Sequence, residues 1–217
     1  MTIRSRYTSA ITDKPWWLAG GIPRDACVAA YRAVGASDYA SSKVNLANPG
    51  VYNATDGAAY PTWNTNDGWI FASTGTAVLT TGYTFANNNL SIFVRFNYHY
   101  ANTFKRIFSS NADTVYVLPS YDLVNPHEYK NGTTVLKVAP PLPSGLYVMG
   151  IAGNTAYLNG AIDGVITVGS LVSGNLFIGN RADLARICSS DIYAVAVYNS
   201  VITSAQVSEL TIAMNAL

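Results

Sequence analysis

Apolar and polar residues alternate along residues 90–100. Leu90, Ile92, Val94, Phe96, Tyr98 and Tyr100 fall on one side; Ser91, Arg95, Asn97 and His99 fall on the other, together with Phe93. A period of two over that length predicts a β-strand with one face in a core and the other toward solvent. Shorter segments of the same kind lie at residues 26–32, 77–81, 106–109, 114–118, 146–151 and 176–178. Residues 192–198 are apolar on both faces and predict a central strand.

Turn signals separate these runs. Asn131-Gly132, Asn159-Gly160 and Asp163-Gly164 supply the positive φ angles of tight hairpins. Pro140, Pro141 and Pro143 mark a stiff connection that a central strand does not contain. Many short strands with this punctuation predict an antiparallel sandwich or barrel, not a parallel sheet. The period changes once, at the end of the chain. Thr203 and Gln206 have the spacing of a capping box, and Val207, Leu210, Met214 and Leu217 recur at helical intervals. A short C-terminal helix that covers the sandwich or its edge is expected there.

Composition narrows the classes. With 217 residues the chain fits one all-β domain, and 49% hydrophobic residues can fill a core. Residues 14–217 read as that domain, preceded by a polar arm at 1–13 that carries Arg4 and Arg6. Charged residues make up only 12%, so the polar surface comes from Asn, Ser, Thr, Gly and Tyr. A formal net charge of +1 offers no basic field for nucleic acid, and no apolar run is long enough for membrane insertion. The first thirty residues lack the apolar stretch of a signal peptide, which points to removal of a leader or to another route, such as assembly into a virus particle.

The last sixty residues carry a resemblance. Tyr157-Leu158-Asn159-Gly160, Leu176-Phe177-Ile178-Gly179, Asp191-Ile192-Tyr193-Ala194-Val195-Ala196-Val197-Tyr198-Asn199 and the segment 201–207 follow one another in that order. This series resembles the C-terminal half of the laminin-G-like, concanavalin A-like jelly rolls. The resemblance implies an all-β, antiparallel β-sandwich (jelly roll) with a short C-terminal helix. The entry Pro15-Trp16-Trp17-Leu18-Ala19-Gly20-Gly21 is similar to phage-encoded members. Such domains include lectins, adhesion modules, virion surface proteins and glycoside hydrolases, so fold alone does not choose among them.

Hydrolase relatives present Glu-x-Asp-x-x-Glu on one strand, because glycoside cleavage takes two carboxylates flanking the bond. That signature is absent; the chain has only Glu128 and Glu209. An Asp pair assembled from distant loops is the alternative. His99 and His127 show no metal-ligand spacing, and no Gly-x-Ser-x-Gly elbow occurs. Laminin-G-like modules often hold calcium at the rim, but Asp56 and Asp183 stand in loops without a dense set of oxygen ligands, so no metal or cofactor is expected. The resemblance also places the first and last strands side by side and antiparallel. Cys27 and Cys188 would then lie at opposite ends and remain thiols, with Cys27 in the core.

The segment 45–69 combines aromatics, amides and carboxylates. Tyr60, Trp63, Asn64, Asp67 and Trp69 are the candidate ligand-binding residues, because a flat ring stacks on a sugar face while Asn and Asp bond its hydroxyls. A long loop packed by its own Tyr and Trp side chains would have the same composition. The expectation is therefore a non-catalytic, lectin-like surface protein, extracellular or on a phage-like virion. Its partners would be a glycan or cell-surface polysaccharide and, through the arm 1–13, neighbouring subunits. A purely structural capsid or tail decoration subunit and a glycoside hydrolase are the alternatives.

Overall fold

The computed structural model describes residues 14–72, 76–99, 106–119, 126–167, 169–171, 173–180 and 188–217. The arm 1–13, and with it the expected subunit contact, lies outside the described residues, as do Tyr100 and Asp183. In chain order the strands are β1 (Cys27–Arg32), β2 (Thr55–Asp56), β3 (Thr62–Asn64), β4 (Gly68–Phe71), β5 (Leu79–Phe85), β6 (Ser91–Tyr98), β7 (Phe108–Ser110) and β8 (Val115–Leu118). They continue with β9 (His127–Asn131), β10 (Val135–Val138), β11 (Gly145–Ala152), β12 (Thr155–Leu158), β13 (Ala161–Val165), β14 (Gly174–Ile178) and β15 (Ser190–Tyr198). Two α-helices, α1 (Tyr39–Ser42) and α2 (Ser204–Asn215), and two 3₁₀ segments at Trp16–Gly21 and Arg24–Ala26 complete the set.

The strands form two antiparallel sheets. One runs β13-β12-β11-β6-β15-β4-β3, with β1 also paired to β15; the other runs β10-β9-β8-β7-β14-β5-β2. The long strand β15 has β6 along one side, while β4 and β1 share its other side, at residues 190–192 and 194–198 respectively. Between the inner faces lies a core built from Tyr31, Trp69, Phe85, Val94, Phe96, Phe108, Tyr129, Ile151 and Val195, among others.

The first sheet is buried on part of its outer face as well. Helix α2 and the Trp16–Gly21 segment lie there, and Val207, Leu210, Met214 and Leu18 cluster with Phe93, Val148, Tyr157, Ala194 and Ala196. The helix starts as its sequence predicts: the Thr203 hydroxyl accepts a hydrogen bond from the Gln206 N–H, and the Gln206 side-chain oxygen accepts one from the Thr203 N–H. Gly20, at φ +65°, lets the 3₁₀ segment press against the helix, since a Cβ there would sit 2.9 Å from the Gln206 Cα. This layer corrects the expectation that β6 is half-exposed: Phe93 is wholly buried beneath it, and the solvated half begins only near Asn97.

Turn chemistry is realised unevenly. Asn159 and Gly160, both at positive φ, form the two-residue hairpin between β12 and β13. Gly132 turns the chain between β9 and β10. Asp163-Gly164 makes no turn; it lies inside β13, where the pairing shifts so that Asp163 is an extra residue opposite β12. A bulge of this kind redirects its side chain. A second bulge, at Tyr193 in β15, has the same effect.

The segment 45–69 is not one loop, since it contains β2, β3 and the start of β4. The cysteines are not joined in a disulfide. Cys27 pairs with Tyr198 at the far end of β15, and Cys188 precedes the near end, so the length of that strand separates them. Burial pushes the Cys27 thiol from 9.0 up to about 12. The unfolded chain loses this proton first, so the stabilisation is complete below pH 9 and is lost as pH rises toward 12. Titration with a thiol reagent at pH 8 is expected to leave Cys27 unlabelled in the native protein, with both thiols reacting once the chain is denatured without reductant. Labelling that waited for a reductant would show a bridge instead.

Candidate functional site

Beyond the edge of α2, the outer face of the first sheet carries Leu146 and Thr62 exposed and Asn97 and Ile70 partly exposed. Strand pairing lays one row of side chains across it. Leu146 of β11 stands opposite Asn97 of β6, Asn97 opposite Asp191 of β15, Asp191 opposite Ile70 of β4, and Ile70 opposite Thr62 of β3. Their sequence neighbours Phe96, Ile192 and Trp69 point into the core, so alternation turns this row outward. Four inter-strand steps make the strip about 19 Å wide.

Polar groups converge in the middle of the strip. Asp191 Oδ2 lies 2.7 Å from His99 Nε2, and the Asn97 amide reaches the same oxygen at 3.5 Å. Asp191 is buried at the sheet surface, whereas the His99 side chain is half exposed. The bulge in β15 turns Tyr193 outward, where its ring lies 4.8 Å from the Arg95 guanidinium carbon. Burial first, then the charges of Asp191 and Asp67, raise the Tyr193 hydroxyl above its ordinary pKa, against the opposing charge of Arg95. At the other end of the row, Tyr60, Pro61, Thr62, Ile70, Ala72 and Ala77 line a cleft of about 150 Å³.

The five residues proposed from sequence divide between surface and interior. Tyr60 is 67% exposed at the cleft, with its ring 6.3 Å from that of Tyr39. Asn64 and Asp67 build the β3–β4 hairpin. The Asn64 carbonyl accepts from the Asn66 and Asp67 N–H groups, and its amide donates to Asp67 at 2.8 Å. Gly68, at φ +68°, closes this turn where a Cβ would lie 2.5 Å from the Ile192 carbonyl oxygen. Trp63 is half-buried, and its Nε1–H donates to the Ala33 carbonyl. Trp69 is 0% exposed, with its Nε1–H donating to Ser42 Oγ. Placing Trp69 at a ligand is therefore corrected: alternation along β4 sends it inward with Phe71. Tyr60 and Asp67 remain beside the strip.

Arg95, Asn97, His99, Asp191 and Tyr193 are the residues that sequence reasoning missed as a group. The polar side of residues 90–100 already held the first three. Their partners lie in a strand whose apolar composition concealed them.

Glu128 is 5% exposed, and both its oxygens are occupied: Oε2 accepts from the Tyr116 hydroxyl at 3.0 Å, and Oε1 pairs with Lys137 at 3.2 Å. Among the described residues no cluster of three His, Cys, Asp or Glu side chains could hold a metal ion. No described helix is long and apolar enough to cross a membrane.

The two twisted antiparallel sheets and the C-terminal helix define a concanavalin A-like β-sandwich. No family model and no curated protein matches the sequence. Among solved structures, the chain is similar to Trypanosoma rangeli sialidase in complex with 2,3-difluorosialic acid, at a TM-score of 0.62 and 11% identity, covering 89% of this chain and 33% of that one. A structure of botulinum neurotoxin type C, whose cell entry depends on interaction with two ganglioside molecules, gives 0.61 and 11%, covering 88% and 52%. Domain 4 of an extracellular GH43 arabinanase from Geobacillus stearothermophilus, in complex with arabinotriose, gives 0.52 and 13%, covering 85% and 98%. The chain thus spans about a third of the sialidase and about half of the toxin chain.

Proposed function

We propose that the chain is a non-catalytic glycan-binding module whose ligand lies along the strip from Tyr60 to Asn97. The observation that carries this reading is the placement of an exposed Tyr60, an outward Tyr193 and the Asp191–His99–Asn97 cluster along the part of one sheet that no described helix covers. Rings of this kind stack on sugar faces, while carboxylate, amide and imidazole bond hydroxyl pairs. Support comes from the arabinotriose held by the arabinanase domain and from the ganglioside dependence of the toxin. The occupied oxygens of Glu128 favour binding over hydrolysis. Location on a virus-like particle rests on the sequence reading, from the resemblance of residues 15–21, the lack of a signal-peptide stretch and the polar arm 1–13.

A glycan array followed by calorimetry tests the reading. Tyr60→Ala and Asp191→Asn are each expected to weaken the best ligand by about tenfold or more, the worth of one stacked ring or one charge-assisted hydrogen bond. Glu209→Gln, on the exposed side of α2, is the control with unchanged affinity. Binding that ignores both site substitutions would move the ligand elsewhere, and turnover of a polysaccharide would remove the non-catalytic reading.

A further inference from the structure

We propose that Arg95 anchors an anionic group of the ligand, a carboxylate carried by an acidic sugar, beside Tyr193 at the inner margin of the strip. The proposal deepens the glycan-binding reading and rests on it. Arg95 is only 8% exposed. Its Nε is buried without a hydrogen-bond partner, and among the described residues no carboxylate lies within ion-pair distance of its guanidinium. Its neighbours across the sheet are Val148 through β11 and Ala194 through β15, both apolar and both beneath the helix layer. Burial accordingly lowers its pKa, with the Tyr193 ring acting in the opposite direction.

A buried cation without an anion is costly, and removing such a charge is often stabilising. Carboxylates do lie nearby, but each is engaged. Asp191 faces His99 and Asn97, and Asp67 takes the Asn64 amide. The guanidinium is left without a carboxylate among the described residues, and its planar fork matches one bidentately. Tyr193 fixes its plane from one side. A sugar ring on the strip with a carboxyl substituent would complete the pair, and its hydroxyls would reach Asn97 and Asp191 one row away.

The test uses tetragalacturonate and a hyaluronan tetrasaccharide, each beside its methyl ester, which keeps the backbone and removes the charge. At least one acid is expected to bind roughly tenfold or more tightly than its ester, as a charged hydrogen-bonded pair requires. The Arg95 Nε–H resonance should move with that acid and not with the ester. Arg95→Gln should erase the preference, and Arg95→Met should erase it while raising the melting temperature, which a merely structural arginine would not do. Equal binding of acid and ester overturns the anchor and leaves the glycan reading standing. Acids that move the Arg95 resonance equally well in Tyr60→Ala and Asp191→Asn keep the anion site and overturn the strip. An Arg95 resonance indifferent to both acids overturns the proposal, and this needs no folded variant.

Discussion

Replacing Trp69 with alanine is expected to destabilise the protein by about 4 kcal/mol, the range of a buried tryptophan truncation. The indole is wholly buried between the sheets, 6.2 Å from the Tyr31 ring, and its Nε1–H meets Ser42 Oγ at 2.8 Å. That serine in turn donates to the Tyr39 carbonyl, so the indole also ties β4 to α1. Alanine would open a cavity and leave the hydroxyl without its donor. Trp69→Phe separates the two contributions: it keeps most of the volume and loses the hydrogen bond, for about 1–2 kcal/mol. Urea denaturation measures both. Tyr60→Ala, at an exposed ring, should leave the midpoint nearly unchanged while reducing sugar binding. A Trp69→Ala protein of native stability that had lost only ligand affinity would return Trp69 to the binding site.

The contrast between these two aromatics shows where sequence reading stops. Period-two alternation identified β6 and β11 because their inner faces carry large apolar residues at every second position, and an apolar run on both faces identified β15. The same reading could not anticipate that α2 and Trp16–Gly21 cover the other face of β6, since burial beneath a second layer depends on contacts between distant segments. In residues 60–69, Trp, Asn, Asp and Gly serve equally well in a sugar-binding loop and in a hairpin that packs one tryptophan inward. Composition does not distinguish these; alternation with β3 and β15 does.

Bulges hid the rest of the site. Asp191 and Tyr193 are separated by two positions, but the extra residue in β15 breaks its register against β6 between Ile192 and Ala194. Tyr193 therefore reaches Arg95, although simple pairing gives Arg95 the neighbour Ala194. The Asn97–Asp191 contact spans 94 residues of sequence, which no local pattern reports. Asp163-Gly164 fails in a related way. The dipeptide supplies flexible backbone geometry, and the chain uses it for a bulge in β13 where a hairpin was expected.

The bulge in β13 supports the other large expected effect. Asp163 Oδ2 lies 2.7 Å from His127 Nε2 and accepts a 2.7 Å hydrogen bond from the Tyr129 hydroxyl. His127 and Tyr129 stand on β9 and Asp163 on β13, so the contact joins the strand next to the edge of one sheet to the edge strand of the other. The Pro140 carbonyl lies 2.9 Å from His127 Nδ1 and can only accept, so Nδ1–H donates to it and Nε2 is left to face the carboxylate. Burial, followed by the Asp163 charge, raises the Tyr129 hydroxyl far above its ordinary pKa. The His127 side chain is 3% exposed, so water cannot readily replace a missing partner. Asp163→Ala would take the shared partner from His127 Nε2 and leave the Tyr129 hydroxyl only the Tyr157 carbonyl at 3.2 Å, and is expected to cost about 3 kcal/mol, the scale for breaking a buried pair from one side. Asp163→Asn keeps one acceptor and should cost less. Chemical denaturation with an unchanged m-value would place the loss in the native state. If Asp163→Ala moved stability by less than about 0.5 kcal/mol, the usual range of an uninvolved surface site, the inter-sheet clamp would contribute nothing to holding the sandwich closed.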